Sequence, residues 1–236
     1  MDSIFNPKTA NYTRPPVVAL PAATVIPIRE RPTGFEVLLI YRNPQLKFQG
    51  GLWAFPGGRI EAADYLPDSN DILTAARRAA VREAAEEAGF FIDADTLIHL
   101  SRWTTPRIQP KRYKTWFFVA IVADQSVRVD GEETLDYMWA RPARALEAQR
   151  SGEISMMPPT FVSLEKLSSY ESTRQMSSAL EEEVPEKFLP TFRMVPGGFC
   201  SLYHGDVAYD GGDIDQPGRR HRFWGLESGW WYERRD

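Results

Sequence analysis

Apolar residues along this chain fall into short dense runs separated by polar and turn-forming stretches. Phe35–Arg42 is strongly apolar and predicts a buried strand. Pro15–Ile28 is apolar but punctuated by proline, which predicts a strand with irregular edges, and Arg31-Pro32-Thr33-Gly34 reads as a turn. Gly50–Phe55 leads into the glycine turn Phe55-Pro56-Gly57-Gly58. Asn70 or Asp71 can cap a helix that runs to Ala88, with Gly89 just past its end. Thr96–Trp103, Tyr113–Ala123 and Thr134–Ala140 read as strands. Helices are expected at Pro142–Arg150, with proline in the first turn, and at Pro159–Tyr170 and Arg174–Glu183. From Phe188 onward glycine and aromatic residues dominate, which suggests turns and short strands. There is no convincing internal repeat. This pattern supports α/β or α+β and nothing narrower.

Composition restricts the function classes. With 236 residues and 43% apolar content, one large domain or one domain with an appendage is expected. The net charge is −4 without a long run of one sign, which argues against a general nucleic-acid binder. The single cysteine, Cys200, excludes an intramolecular disulfide and fits a reducing compartment, so a cytoplasmic location is expected. Met1–Asn11 lacks the apolar core of a signal peptide. No apolar run approaches the ~20 residues that cross a bilayer, so no membrane association is expected.

Glu83, Glu86 and Glu87 carry the chemistry. On a helix Glu83 and Glu87 are one turn apart and Glu86 is three residues from Glu83, so the three carboxylates share overlapping parts of one face. Like charges so placed repel by roughly 0.2–0.5 kcal/mol per pair. A divalent cation reverses that sign, and Mg²⁺ commonly bridges carboxylates to substrate phosphates. By composition alone an Ala/Glu/Arg helix is a solvated surface helix. The upstream turn at Gly57-Gly58 changes the balance, because a backbone carbonyl there can join the carboxylates around a metal.

Together these segments resemble the Nudix hydrolases, whose box reads G-x5-E-x7-R-E-U-x-E-E-x-G-U with U bulky and apolar. Gly58 opens the box, Asp64 stands at the first glutamate, and Arg82-Glu83-Ala84-x-Glu86-Glu87-x-Gly89-Phe90 supplies the second half. Asp replaces Glu at 64, Ala84 replaces a bulky residue, and seventeen residues separate Asp64 from Arg82 where the family has seven. The extra stretch around Tyr65–Asp71 reads as a surface loop, which closure entropy tolerates. A branch that includes peroxisomal coenzyme A diphosphatases is similar in its Phe-Pro-Gly-Gly turn, its Ala-Asp pair and its long insert.

The resemblance implies a Nudix fold, a mixed β-sheet sandwiched between α-helices. It implies a core over residues 12–150 and a helical, aromatic-rich extension over 151–236 that packs on it within one continuous domain. It also implies Mg²⁺- or Mn²⁺-dependent hydrolysis of a phosphoanhydride in a nucleoside diphosphate joined to another moiety. Glu83, Glu86 and Glu87 are the expected ligands, with Gly57 or Gly58 contributing a carbonyl and Arg82 holding a glutamate in place. Glu133, six residues before Trp139, is the expected outer acid, against a reading as a solvated hairpin acid. Arg42 and Phe55 lie in a stretch similar to a coenzyme A pyrophosphatase signature, from which the stretch departs in three ways: Ile40 replaces Thr, Arg42 is one residue nearer to the glycine, and the second Arg is missing. Arg112, within the basic group Arg102, Arg107, Lys111, Arg112 and Lys114, can receive phosphates. Trp103, Trp116 and Trp139 can stack on adenine, although strand tryptophans are usually core. His204, Asp206 and His221 match no standard ligand spacing. Coenzyme A or acyl-coenzyme A leads the substrate expectations, and nucleotide sugars or dinucleotides follow. A non-catalytic nucleotide-sensing module, a partner-binding protein using the aromatic tail, and a homodimer remain open.

Overall fold

Two of the most apolar segments pair in parallel at the centre of the main sheet. The computed structural model describes residues 17–46, 49–123 and 126–235. Strand β1 (Leu20–Arg31) runs beside a later strand, Tyr113–Ile121, in register from Leu20↔Tyr113 to Ile28↔Ile121. Both faces of this pair are covered, which is why its sequence reads as near-continuous apolar residues.

The described elements follow in order. After β1 come β2 (Gly34–Arg42), β3 (Trp53–Ala54) and β4 (Gly57–Arg59), then α1 (Ile72–Ala88). Strands β5 (Ile98–Thr104), β6 (Tyr113–Ile121) and β7 (Thr134–Ala140) precede helices α2 (Pro142–Arg150), α3 (Pro158–Ser168) and α4 (Thr173–Glu182). The remainder is β8 (Glu186–Phe188), β9 (Thr191–Val195), β10 (Gly198–Leu202), β11 (Arg220–Leu226) and β12 (Gly229–Arg235). The main sheet has eight strands in the order β3-β2-β1-β6-β5-β8, with β4 paired to β1 and β7 to β2. The second sheet is antiparallel, in the order β12-β11-β10-β9.

Alternation along the strands assigns each face its own core. Val37 and Leu39 of β2 and Phe117 and Val119 of β6 join a cluster with Phe161 of α3, Met176 of α4 and Phe223 of β11. Leu38, Ile40, Trp116 and Phe118 point the other way, onto α1. The buried stripe of α1 is mainly alanine, from Ala75 to Ala88, and these small side chains let the helix lie close to the sheet.

The structure refines three expectations. The first strand begins at Leu20 and continues to Arg31, five residues later than the apolar run suggests at its start and three at its end. The glycine turn is short, since Gly57–Arg59 immediately pairs with β1 through Gly58↔Ala23. The aromatic tail is a complete four-stranded sheet, and β8 before it joins the main sheet in parallel with β5.

Candidate active site

Helix α1 delivers its carboxylates because both its ends are fixed. Asp71 accepts from the Leu73 and Thr74 backbone N–H groups at the N-terminus. Gly89 at the C-terminus takes a left-handed conformation, φ 72°, and its N–H reaches the Ala84 and Ala85 carbonyls. With the helix so phased, Glu87 continues the buried alanine stripe and is 4% exposed. Glu83 lies one turn earlier and its side chain is 13% exposed, while that of Glu86 is 57% exposed.

Strand β4 brings the backbone to these acids. The Gly57 N–H donates to Glu87 Oε2 at 2.8 Å. A Cβ on Gly58 would lie 2.5 Å from Glu83 Cδ, so any side chain at 58 would push that carboxylate away. Gly58 is therefore required for close approach rather than for an unusual φ.

Two arginines organise the cluster. Arg82 donates through Nη1 to Glu83 Oε1 at 2.8 Å and Glu86 Oε2 at 2.9 Å. Its Nη2 reaches the Arg59 carbonyl at 2.9 Å, and Nε and Nη2 each reach the buried Asp64 carboxylate at 3.2 Å. Asp64 in turn accepts from the Glu61 N–H at 2.8 Å, which fastens the end of β4 to the start of the long loop. Arg42, at the end of β2, donates to Glu87 Oε1 at 2.9 Å, and its Nη2 lies 3.5 Å from Glu133 Oε2. The mutual repulsion expected among the helix acids is thus largely offset by these guanidinium groups. Burial still dominates the proton affinity of Glu87. Its pKa is pushed up to about 7, against the lowering effects of Arg42 and the Gly57 N–H. Burial raises Glu83 as well, again against the pull of Arg82.

Five carboxylates, of Asp64, Glu83, Glu86, Glu87 and Glu133, therefore face two guanidinium groups. Arg82 takes one oxygen of Glu83 and one of Glu86, leaving the second oxygen of each for a cation. Among the described residues no three acidic, histidine or cysteine side chains form a ready-made metal cage. Mg²⁺ does not require one, because it commonly binds through one or two carboxylates, several waters and substrate phosphates. The all-oxygen donor set and the negative excess fit such an ion.

The other expected site residues are placed apart from this cluster or inside the core. Arg112 spends its guanidinium on the carbonyls of Val17, Thr105 and Pro106, so it braces backbone rather than presenting a free fork. Phe55 is 4% exposed within the core, and Trp116 is 5% exposed against α1, so neither ring offers a face to a base. Trp103 stacks on Phe188 at 3.9 Å between centroids, and Trp139 lies under the Arg29 guanidinium at 4.3 Å. His221 donates through Nδ1–H to the His204 carbonyl, while Asp206 forms a buried bidentate pair with Arg222 at 2.7 Å in each bond. Sequence reading missed the pairings of Arg42 with Glu87 and of Asp206 with Arg222, because both join positions distant in the chain that no spacing rule connects.

The comparison with known families decides the assignment: the NUDIX domain model matches residues 19–158, more than half of the chain. The chain belongs to the Nudix family. It is a Nudix-type hydrolase with a Nudix fold. It is 24% identical to an acyl-coenzyme A diphosphatase of Homo sapiens, over 89% of this chain and 83% of that protein. It is 26% identical to a putative nudix hydrolase 7 of Caenorhabditis elegans, over 56% of each protein. A solved NUDIX hydrolase from Alicyclobacillus acidocaldarius superposes with a TM-score of 0.62 at 24% identity, covering 69% of this chain and 97% of that one. Among the described residues no helix is long and apolar enough to cross a membrane.

Proposed function

We propose that this Nudix hydrolase cleaves the phosphoanhydride of a nucleoside diphosphate joined to a second moiety, with coenzyme A or acyl-coenzyme A as substrate. The observation that carries the reaction type is the carboxylate cluster of α1 pressed against Gly57 and Gly58, with two counter-charges, Arg42 and Arg82, among the described residues. The substrate choice is supported by the likeness to a human protein named as an acyl-coenzyme A diphosphatase.

Glu83, Glu86 and Glu87 would hold Mg²⁺ or Mn²⁺, with the Gly58 carbonyl and Glu133 as further oxygen donors. The bound cation would supply neutralisation of the diphosphate and a water of lowered pKa. Arg82 keeps Glu83 and Glu86 oriented by holding one oxygen of each, and Asp64 and the Arg59 carbonyl keep Arg82 itself in place. The Gly57 N–H and Arg42 do the same for Glu87. Arg42, a guanidinium at the edge of the carboxylate cluster, would take a second role in meeting a phosphate oxygen of the substrate. Loss of its bond to Glu87 would accompany that move.

A screen of coenzyme A, acyl-coenzyme A, nucleotide sugars and dinucleotides with Mg²⁺ and Mn²⁺, read by product mass, tests this. Coenzyme A should yield 3′,5′-adenosine diphosphate and 4′-phosphopantetheine. Cleavage of a nucleotide sugar or dinucleotide alone would overturn the substrate and keep the mechanism; no cleavage of any diphosphate would overturn both.

A further inference from the structure

A cavity of about 980 Å³ lies between the β5–β8 edge of the main sheet, helix α3 and the second sheet. Its lining includes Leu100, Ser101 and Trp103 of β5, Val162 and Ser163 of α3, and Tyr232 of β12. None of Glu83, Glu86, Glu87 or Arg42 lines it. Ser101 and Trp103 belong to the sheet face opposite α1, since their register partners on β6 are Phe117 and Thr115 and Phe117 packs on the α3 side.

Three lining residues carry hydrogen-bonding atoms that meet no protein partner. They are Ser101 Oγ, Trp103 Nε1 and Ser163 Oγ, on side chains that are at least nine-tenths buried. A buried polar group without a partner is costly and rare, so three beside one cavity require an explanation. The Trp103 N–H can only donate, whereas each serine hydroxyl donates and accepts.

All but one of the charged side chains around the cavity, Lys187, are paired. Lys166 pairs with Glu183, Arg234 with Glu186 and Glu165 with Arg150. Lys187 lies at the rim, exposed. A multiply charged occupant would find no concentrated opposite charge. The rest of the wall mixes apolar side chains, including Leu100, Val162 and Phe188, with the polar groups of Tyr170, His204, Tyr209 and Tyr232. An occupant must therefore be uncharged, carry strong acceptors for Trp103 Nε1–H, offer both a donor and an acceptor to the serines, and bury methylene or methyl groups. Amides joined by short aliphatic segments meet all four requirements.

We infer that the cavity is a ligand site, separate from the carboxylate cluster, for an uncharged flexible chain bearing amide groups. Pantetheine, an uncharged diamide, is the probe. The full chain is labelled with ¹⁵N at its tryptophan indoles, and the Trp103 signal is assigned with Trp103→Phe. Titration with pantetheine should shift that signal saturably, with Kd on the order of 0.1 mM. Ser101→Ala and Ser163→Ala, checked for an unchanged melting curve, should each weaken binding roughly fivefold. Inorganic phosphate should leave the Trp103 signal in place. An unmoved indole with pantetheine in large excess over the expected Kd, equal response to phosphate, or undiminished affinity in both folded serine variants would overturn the inference. The wild-type titration decides the matter even if a serine variant fails to fold.

Discussion

Glu86 and Glu87 differ by one position on α1, and that position sets different costs for the same substitution. Glu86→Gln and Glu87→Gln should each lower turnover by at least about two orders of magnitude, the usual cost of disturbing a catalytic metal or electrostatic group. Glu86 is the more exposed, so its loss should change stability by no more than about 0.5 kcal/mol in urea unfolding. Glu87→Gln removes the closest carboxylate from Arg42 and should cost about 1–3 kcal/mol without metal. Near-wild-type turnover in both variants at saturating Mg²⁺ would sink the proposed site. Away from it, Asp206 is fully enclosed with Arg222. Burial alone would raise its pKa, but the bonds from Arg222 and the His221 and Ala208 N–H groups outweigh that and hold it below the usual carboxylate range. A lowered folded pKa stabilises the fold above the unfolded value and loses that contribution as pH falls through the folded value. Asp206→Asn should therefore cost about 3–5 kcal/mol near neutrality and flatten the acid limb of the stability–pH curve. An unchanged acid limb would refute this role.

Helix α1 shows how far the sequence reaches at the scale of elements. Both its ends were legible, because Asp71 and Gly89 are residue types with a local physical reason to cap. The strands β2, β6 and β7 were legible through long apolar or aromatic runs, with bounds shifted by at most two residues. Strand β8 was not, since three residues carry no periodicity and their parallel partner lies far upstream. The site divides in the same way. The acids of α1 follow from helical spacing, whereas Arg42 reaches Glu87 only through the fold, and the burial of Phe55 and Trp116 depends on which sheet face is covered. The loop between Asp64 and α1 gives an element-level prediction. Deleting part of Leu66–Asn70 while keeping Asp71 should preserve Mn²⁺ binding and move only KM or substrate preference. If Asp71 is lost too, stability should fall by about 1 kcal/mol. A folded variant that keeps Asp71 but no longer binds Mn²⁺ in a paramagnetic titration would place the loop inside the metal site.

At the scale of the whole molecule, residues 151–236 supply α3, α4, β8 and the second sheet to the same apolar cluster that β1, β2 and β6 enter from residues 12–150. We expect one cooperative unfolding transition, and a chain ending at Arg150 should not fold, because it leaves the edge of β5 and one face of the main sheet uncovered. Two separated transitions by calorimetry would show independent units. The central claim is that the α1 acids direct water at phosphorus, leaving the thiol or thioester end of the substrate untouched. Hydrolysis of acyl-coenzyme A in ¹⁸O-water tests it directly. The account predicts label on a phosphate of one product and an intact thioester; label in a released carboxylate, with the diphosphate unbroken, would contradict it.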